Sequence, residues 1–164
     1  MGKLAPNFTF EEMTLTNHRS LLEQNRREAI SFIDELTATA LMLQKIRNHF
    51  GAPVIVHSSF RCGKLNQTIG GSVRSQHMLG QAADFHVVGV DLTEVFEWIH
   101  QESEIPFGQL ILEGIVADKP SWIHISLGVP WRPAEKSGQA LKWDRENGYT
   151  CLLYTSPSPR DRQK

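Results

Sequence analysis

Cysteine is nearly absent: Cys62 and Cys151 are the two in 164 residues, enough for one disulfide and too few for a fold stapled by several. Long apolar runs are also missing. None approaches the roughly 20 residues that cross a bilayer, so no membrane span is expected. The first ten residues carry a single lysine and no continuous apolar stretch, which gives no reason to expect a secretory signal. An excess of one charge is lacking as well. Seventeen Lys and Arg oppose eighteen Asp and Glu, a net charge of −1, which excludes a chain built mainly to grip nucleic acid phosphates. What is present is an ordinary apolar fraction of 40%, sufficient for one domain with a sizeable core, together with seven histidines.

The order of patterns points to an α+β fold. Thr9 and Glu12 form a capping box for a short helix, with Phe8 and Met13 as its hydrophobic staple. Ile33, Leu36, Ala40, Leu43, Ile46 and Phe50 recur at three- and four-residue spacing, the buried stripe of a helix expected over about 26–50 and stopped by Gly51 and Pro53. Beyond Pro53 the period changes to that of strands. Val54 to Ser58, Ala82 to Val88, Gln109 to Glu113 and Trp122 to Leu127 are the strand candidates, with a helix opened by Asp91 and Glu94 between the second and third. Arg61 to Thr68 is expected to make one or two helical turns, and Gly114 to Ser121 a loop.

After Pro130 the patterning weakens. Residues 1–150 are the expected domain. Residues 151–164 include Tyr154-Thr155-Ser156-Pro157-Ser158-Pro159-Arg160-Asp161, have no periodicity after Leu153, and are expected to be disordered. They also resemble peptide translated from sequencing-adapter DNA. Leaving them out removes three basic residues (Arg160, Arg162, Lys164) and one acidic residue (Asp161). The domain is then slightly more acidic, at −3, and no disulfide is expected.

Chemistry concentrates in Ser75-Gln76-His77-Met78-Leu79-Gly80-Gln81-Ala82-Ala83-Asp84, where an imidazole and a carboxylate lie either side of a glycine that permits a tight reversal. Strand alternation supplies a third ligand. Ile123, Ile125 and Leu127 take the core face, which leaves Trp122, His124 and Ser126 on the other. By the same parity Gln109, Ile111 and Glu113 oppose Leu110 and Leu112, and Ala82, Asp84 and His86 oppose Ala83, Phe85 and Val87. His77, Asp84 and His124 around one zinc ion would leave a fourth position for water, the arrangement of a catalytic site. Glu113 is the candidate general base and Arg61 the candidate group for a substrate carboxylate or a developing oxyanion. His57 and His86 are the next candidates for the base. His18, His49 and His100 are expected at the surface, and Cys62 half-buried.

Ser58-Ser59-Phe60-Arg61, Asn66, Gly70-Gly71, Ser75-Gln76-His77, Gly80, Ala82, Asp84 and Trp122-Ile123-His124-Ile125-Ser126 together resemble the zinc D-Ala-D-Ala metallopeptidases. These comprise carboxypeptidases and related phage endolysins with the hedgehog/DD-peptidase fold. The resemblance covers roughly Leu4 to Trp131. It implies a small, mostly antiparallel sheet with helices on one face and a zinc site on the other, with His77, Asp84 and His124 as ligands and Arg61 as the substrate-contacting arginine. The base is not carried over. Some relatives have Glu three residues before the last His, where this chain has Ser121; others have His two residues before it, where this chain has Trp122. The implied function is a zinc-dependent peptidase, either DD-carboxypeptidase or murein endopeptidase, acting on peptidoglycan peptides at the cell wall. It would be a monomer without nucleic acid or membrane partners, reaching the wall by phage-type release or on a virion. The alternative is a metal-containing but non-catalytic wall-binding or virion structural module of the same fold.

Overall fold

Alternating apolar residues in four strands decide how the chain is layered. The computed structural model describes residues 2–114, 119–128, 138–144 and 148–151; of the expected tail, only Cys151 falls among them. Strands β3 (Val54–Ser58), β4 (Ala82–Val87), β5 (Phe107–Glu113) and β6 (Trp122–Leu127) join β7 (Gln139–Asp144) and β8 (Gly148–Cys151) in one sheet ordered β3-β4-β6-β5-β7-β8. All neighbours are antiparallel except β5 and β7, which run parallel. Phe85, Val87, Leu110, Leu112, Ile123 and Ile125 are buried in a single core. Their alternate neighbours, among them Asp84, Ile111, Glu113 and His124, line a cleft on the other face.

Among the helices, α3 (Ile33–Phe50) and α5 (Leu92–Glu97) give the core several residues each. Helix α3 brings Leu36, Ala40, Leu43 and Ile46, all fully buried. Its last turn closes on Gly51, whose positive φ of 60° lets its N–H reach the Arg47 carbonyl. Helix α5 starts on Asp91, whose carboxylate accepts from the N–H groups of Thr93 and Glu94, and it contributes Val95 and Phe96. It continues as a π turn over Trp98–Glu102. The long helix expected over 26–50 is in fact two pieces. Helix α2 (Leu22–Ala29) is joined to α3 by a tight 3-10 turn over Ile30–Phe32, and Phe32 lies against Phe60 with ring centroids 5.6 Å apart.

Before these helices, β1 (Lys3–Ala5) and β2 (Phe8–Thr9) form a small hairpin, and α1 (Phe10–Met13) follows with Thr9 as its cap. The Thr9 hydroxyl accepts from the Glu12 N–H at 3.2 Å, and Phe8 and Met13 are fully buried, as the capping box and staple require. The short helix α4 is Gly63–Thr68. Cys62, at its start, is buried rather than half-buried, because its N–H is drawn inward by Asn25. Cys62 and the exposed Cys151 are both free thiols. Among the described residues no helix is long and apolar enough to cross a membrane.

Asn25 connects the helical layer to the segment preceding α4. It is fully buried, donates from Nδ2 to the carbonyls of Thr14 (2.8 Å) and Phe60 (3.1 Å), and accepts from the Cys62 N–H at 2.7 Å. Truncation would orphan buried groups on both sides. Asn25→Ala is therefore expected to lower unfolding free energy by about 2–4 kcal/mol, read as a shift in denaturant midpoint at unchanged slope. A shift worth less than about 1 kcal/mol would show that these contacts are dispensable.

Candidate metal centre

The five residues singled out from sequence, Arg61, His77, Asp84, Glu113 and His124, all line one cleft of about 690 Å³. Asp84 and His124 reach it because β4 and β6 pair in the register that sets Asp84 directly opposite His124, and Ala83 and Phe85 opposite Ile125 and Ile123. His77 comes from a 3-10 turn over Gln76–Leu79 that crosses in front of the sheet. Gly80 ends that turn with φ of 67° and lies so close to α3 that a Cβ there would sit 3.1 Å from Leu36 Cγ. Its carbonyl accepts from Thr39 Oγ1 at 2.8 Å, which ties the turn to α3.

His77, Asp84 and His124 are 3%, 7% and 8% exposed, and one ligand atom from each lies within 4.8 Å of the others. His77 Nδ1 is 2.7 Å from the Ser59 carbonyl, an acceptor only, so Nδ1 carries the proton and donates, leaving Nε2 with a lone pair directed at the other two. Burial pushes the His77 imidazole down, which favours its neutral form. Nε2 of His77 is 3.3 Å from both His124 Nδ1 and Asp84 Oδ1, and His124 Nδ1 is 2.9 Å from Asp84 Oδ1. Burial would raise the Asp84 carboxyl, but the electrostatic pull of the adjoining His77 and His124 rings, with the hydrogen bond to His124, holds it well below the usual carboxylate range. Three donor atoms thus converge with at most one proton among them. An imidazole pair and a carboxylate placed this way fit a divalent cation of the zinc class.

A short segment before α4 organises the cluster. Ser59 Oγ donates to the Ala82 carbonyl (2.9 Å) while its own carbonyl orients His77. Phe60 is fully buried, and the Arg61 N–H donates to the His77 carbonyl at 3.1 Å. The Arg61 side chain donates from Nε to Ser58 Oγ (2.8 Å) and from Nη2 to Asp84 Oδ2 (2.7 Å), the carboxylate oxygen that does not face the histidines. Its positive charge is therefore matched by Asp84, and it holds that carboxylate's angle. Arg61→Ala is expected to weaken zinc binding about 10- to 100-fold, measured by competition with a chromogenic chelator. Unchanged affinity would leave Arg61 no part in orienting Asp84.

Glu113 ends β5 opposite Trp122, and Trp122 Nε1 donates to Glu113 Oε2 at 2.9 Å. Gly114 makes this contact possible. With φ of 66°, a Cβ at that position would meet the Trp122 ring at 2.6 Å. His57 and His86 lie apart from the cleft's lining residues, Nε2 of the former 2.8 Å from Nδ1 of the latter. His49 is exposed, as expected, and stacks on Trp98 with ring centroids 3.8 Å apart. Ser75 lines the cleft and makes no capping bond. Ser126 lies beneath it, fully buried, and accepts from the Gln109 N–H at 2.9 Å where the pairing of β5 and β6 shifts register.

Sequence reading missed Gln139 and Tyr149, which bring β7 and β8 to the cleft. Partial burial, then the negative charges of Glu113 and Asp84, push the Tyr149 phenol up, so it stays a hydrogen-bond donor. The only signal available was the alternation in Gln139-Ala140-Leu141-Lys142-Trp143, too short to stand out without its partner β5.

A family model described as Peptidase M15 matches residues 6–126, which contain every residue of the cluster and end within β6. No curated protein matches the chain.

Proposed function

The chain belongs to the peptidase M15 family, and from that premise we propose that it is a zinc-dependent peptidase that hydrolyses peptide bonds of peptidoglycan, as a DD-carboxypeptidase or a murein endopeptidase. The observation that carries the reading is the convergence of His77 Nε2, Asp84 Oδ1 and His124 Nδ1 at the floor of an open cleft. In this reading those three atoms hold the metal. Bound there, zinc supplies Lewis acidity, making water a nucleophile near neutral pH and polarising a carbonyl.

The remaining chemistry belongs to side chains. Glu113, on the same face of the sheet as His124, takes the proton from the attacking water and returns it to the leaving amine. The Trp122 indole N–H holds one oxygen of that carboxylate, fixing its orientation toward the cleft. Arg61 holds Asp84 aimed, and the Ser59 carbonyl keeps His77 in the tautomer whose Nε2 is available. Gln109, Gln139 and Tyr149 offer hydrogen bonds to an extended peptide lying along the cleft. The enzyme would work as a monomer at the cell wall.

The test is elemental analysis followed by digestion of purified peptidoglycan and mass spectrometry of the released fragments. One zinc per chain and loss of terminal D-Ala, or cleavage of crosslinks, is the expected result, and the fragments identify the bond. Binding to the wall with no fragment released would turn the reading to a non-catalytic wall-binding module.

A further inference from the structure

Four charged side chains line the cleft: Arg61, Arg74, Asp84 and Glu113. Three of them have partners. Arg61 and Asp84 form an ion pair at 2.7 Å, and Glu113 accepts from Trp122. The guanidinium of Arg74 has no hydrogen-bond or ion-pair partner among the described residues, so among them it is the one cleft cation without a bonded counter-charge. It stands three residues before His77, in the segment that leads into the turn carrying that residue.

That segment is braced as a positioning device would be. The Arg74 N–H donates to Ser72 Oγ at 3.2 Å, and the Ser75 N–H to the Ser72 carbonyl at 3.0 Å. The Ser72 carbonyl also accepts from Nδ2 of the buried Asn66 (2.9 Å), whose own carbonyl accepts from the Gly71 N–H (2.8 Å). Gly71 is packed so tightly on Asn66 that a Cβ there would collide with the amide. The backbone under Arg74 is thus fixed from α4, while its side chain stays exposed at the cleft. A merely solvated arginine has no need of a fixed base or of a place beside three metal-competent groups.

We infer that Arg74 anchors a carboxylate of the substrate, so that the peptide accepted here carries a free carboxylate near the bond cut. This rests on the peptidase reading and adds to it the recognition of a negative charge, for which guanidinium offers paired donors. The carboxylate is either the C-terminus of the peptide or a side-chain carboxyl within it, and the two are separable by amidation.

The experiment measures binding by calorimetry, and steady-state cleavage, for the zinc-loaded wild type, Arg74→Gln and Arg74→Lys. The probes are an N-acylated peptide ending in D-Ala-D-Ala, its C-terminal amide, and a stem peptide whose side-chain carboxyl is free or amidated. Wild type is expected to bind one acid form about 10- to 100-fold more tightly than its amide. Arg74→Gln loses that preference and raises KM with little change in kcat, Arg74→Lys recovers part of it, and zinc content and melting temperature stay at wild-type values. Preference for the terminal acid assigns the C-terminus, and preference for the side-chain acid assigns the internal carboxyl. A glutamine variant that keeps the acid preference, while the wild type cleaves, overturns the inference alone. A wild type that neither binds nor cleaves any of the four overturns the peptidase reading with it.

Discussion

His77→Ala is expected to leave a folded protein that retains less than a tenth of the wild-type zinc and turns over peptide at least about 10³-fold more slowly, a loss of roughly 4 kcal/mol of transition-state stabilisation. The geometry makes His77 the most informative ligand to remove. Its ring connects two layers, the Ser59 carbonyl behind it and the Asp84–His124 pair in front. Without it two donors remain, and the Ser59 carbonyl is left without its buried donor. Because that second loss could weaken the fold by itself, melting is followed with and without added zinc. Wild type should gain stability with zinc concentration as a bound ligand dictates, and the variant should not. A variant with one tightly held zinc and normal turnover would remove His77 from the site.

Glu113→Gln should separate metal binding from proton transfer. Glutamine keeps an oxygen that can accept from Trp122 Nε1, so the local contact at 2.9 Å survives while the basic carboxylate is gone. The expected result is one zinc per chain and a fall in kcat of about 10²- to 10⁴-fold, the usual contribution of a positioned acid–base group. Trp122→Phe, which keeps the ring and deletes the N–H, should give a smaller fall, since it loosens the carboxylate without removing it. Turnover at the wild-type level in Glu113→Gln would take the base away from Glu113. The histidines at 57 and 86 would not inherit the role easily, since they bond to each other outside the cleft.

Much of this site is legible in the sequence because it is built on strand parity. Once Ile123 and Ile125 are assigned to the core, His124 has one face left to occupy, and the same logic places Asp84 and Glu113. Parity does not reveal what long side chains do at their tips. Arg61 reads from sequence as a substrate group, whereas its guanidinium meets Asp84 twenty-three residues away. The role of Asn25 in holding Cys62 from thirty-seven residues away is similarly invisible. The hairpin of β1 and β2 is too short for a period to show, and β7 becomes a strand through pairing with β5, a contact that no local pattern announces. The break at Ile30–Phe32 interrupts a helical pattern without a glycine or proline to mark it.

The pairing of β4 with β6 has one more consequence. Asp84 opposite His124 and Phe85 opposite Ile123 belong to a single ladder, so a one-residue slip would carry His124 under the sheet and drive isoleucines into the cleft. No misaligned state can keep a sound interior and lose only the ligand cluster, or the reverse. Mutational drift that preserves packing therefore preserves the catalytic alignment without separate selection on it, and the hydrophobic interior acts as a proofreader for the chemistry on the opposite face.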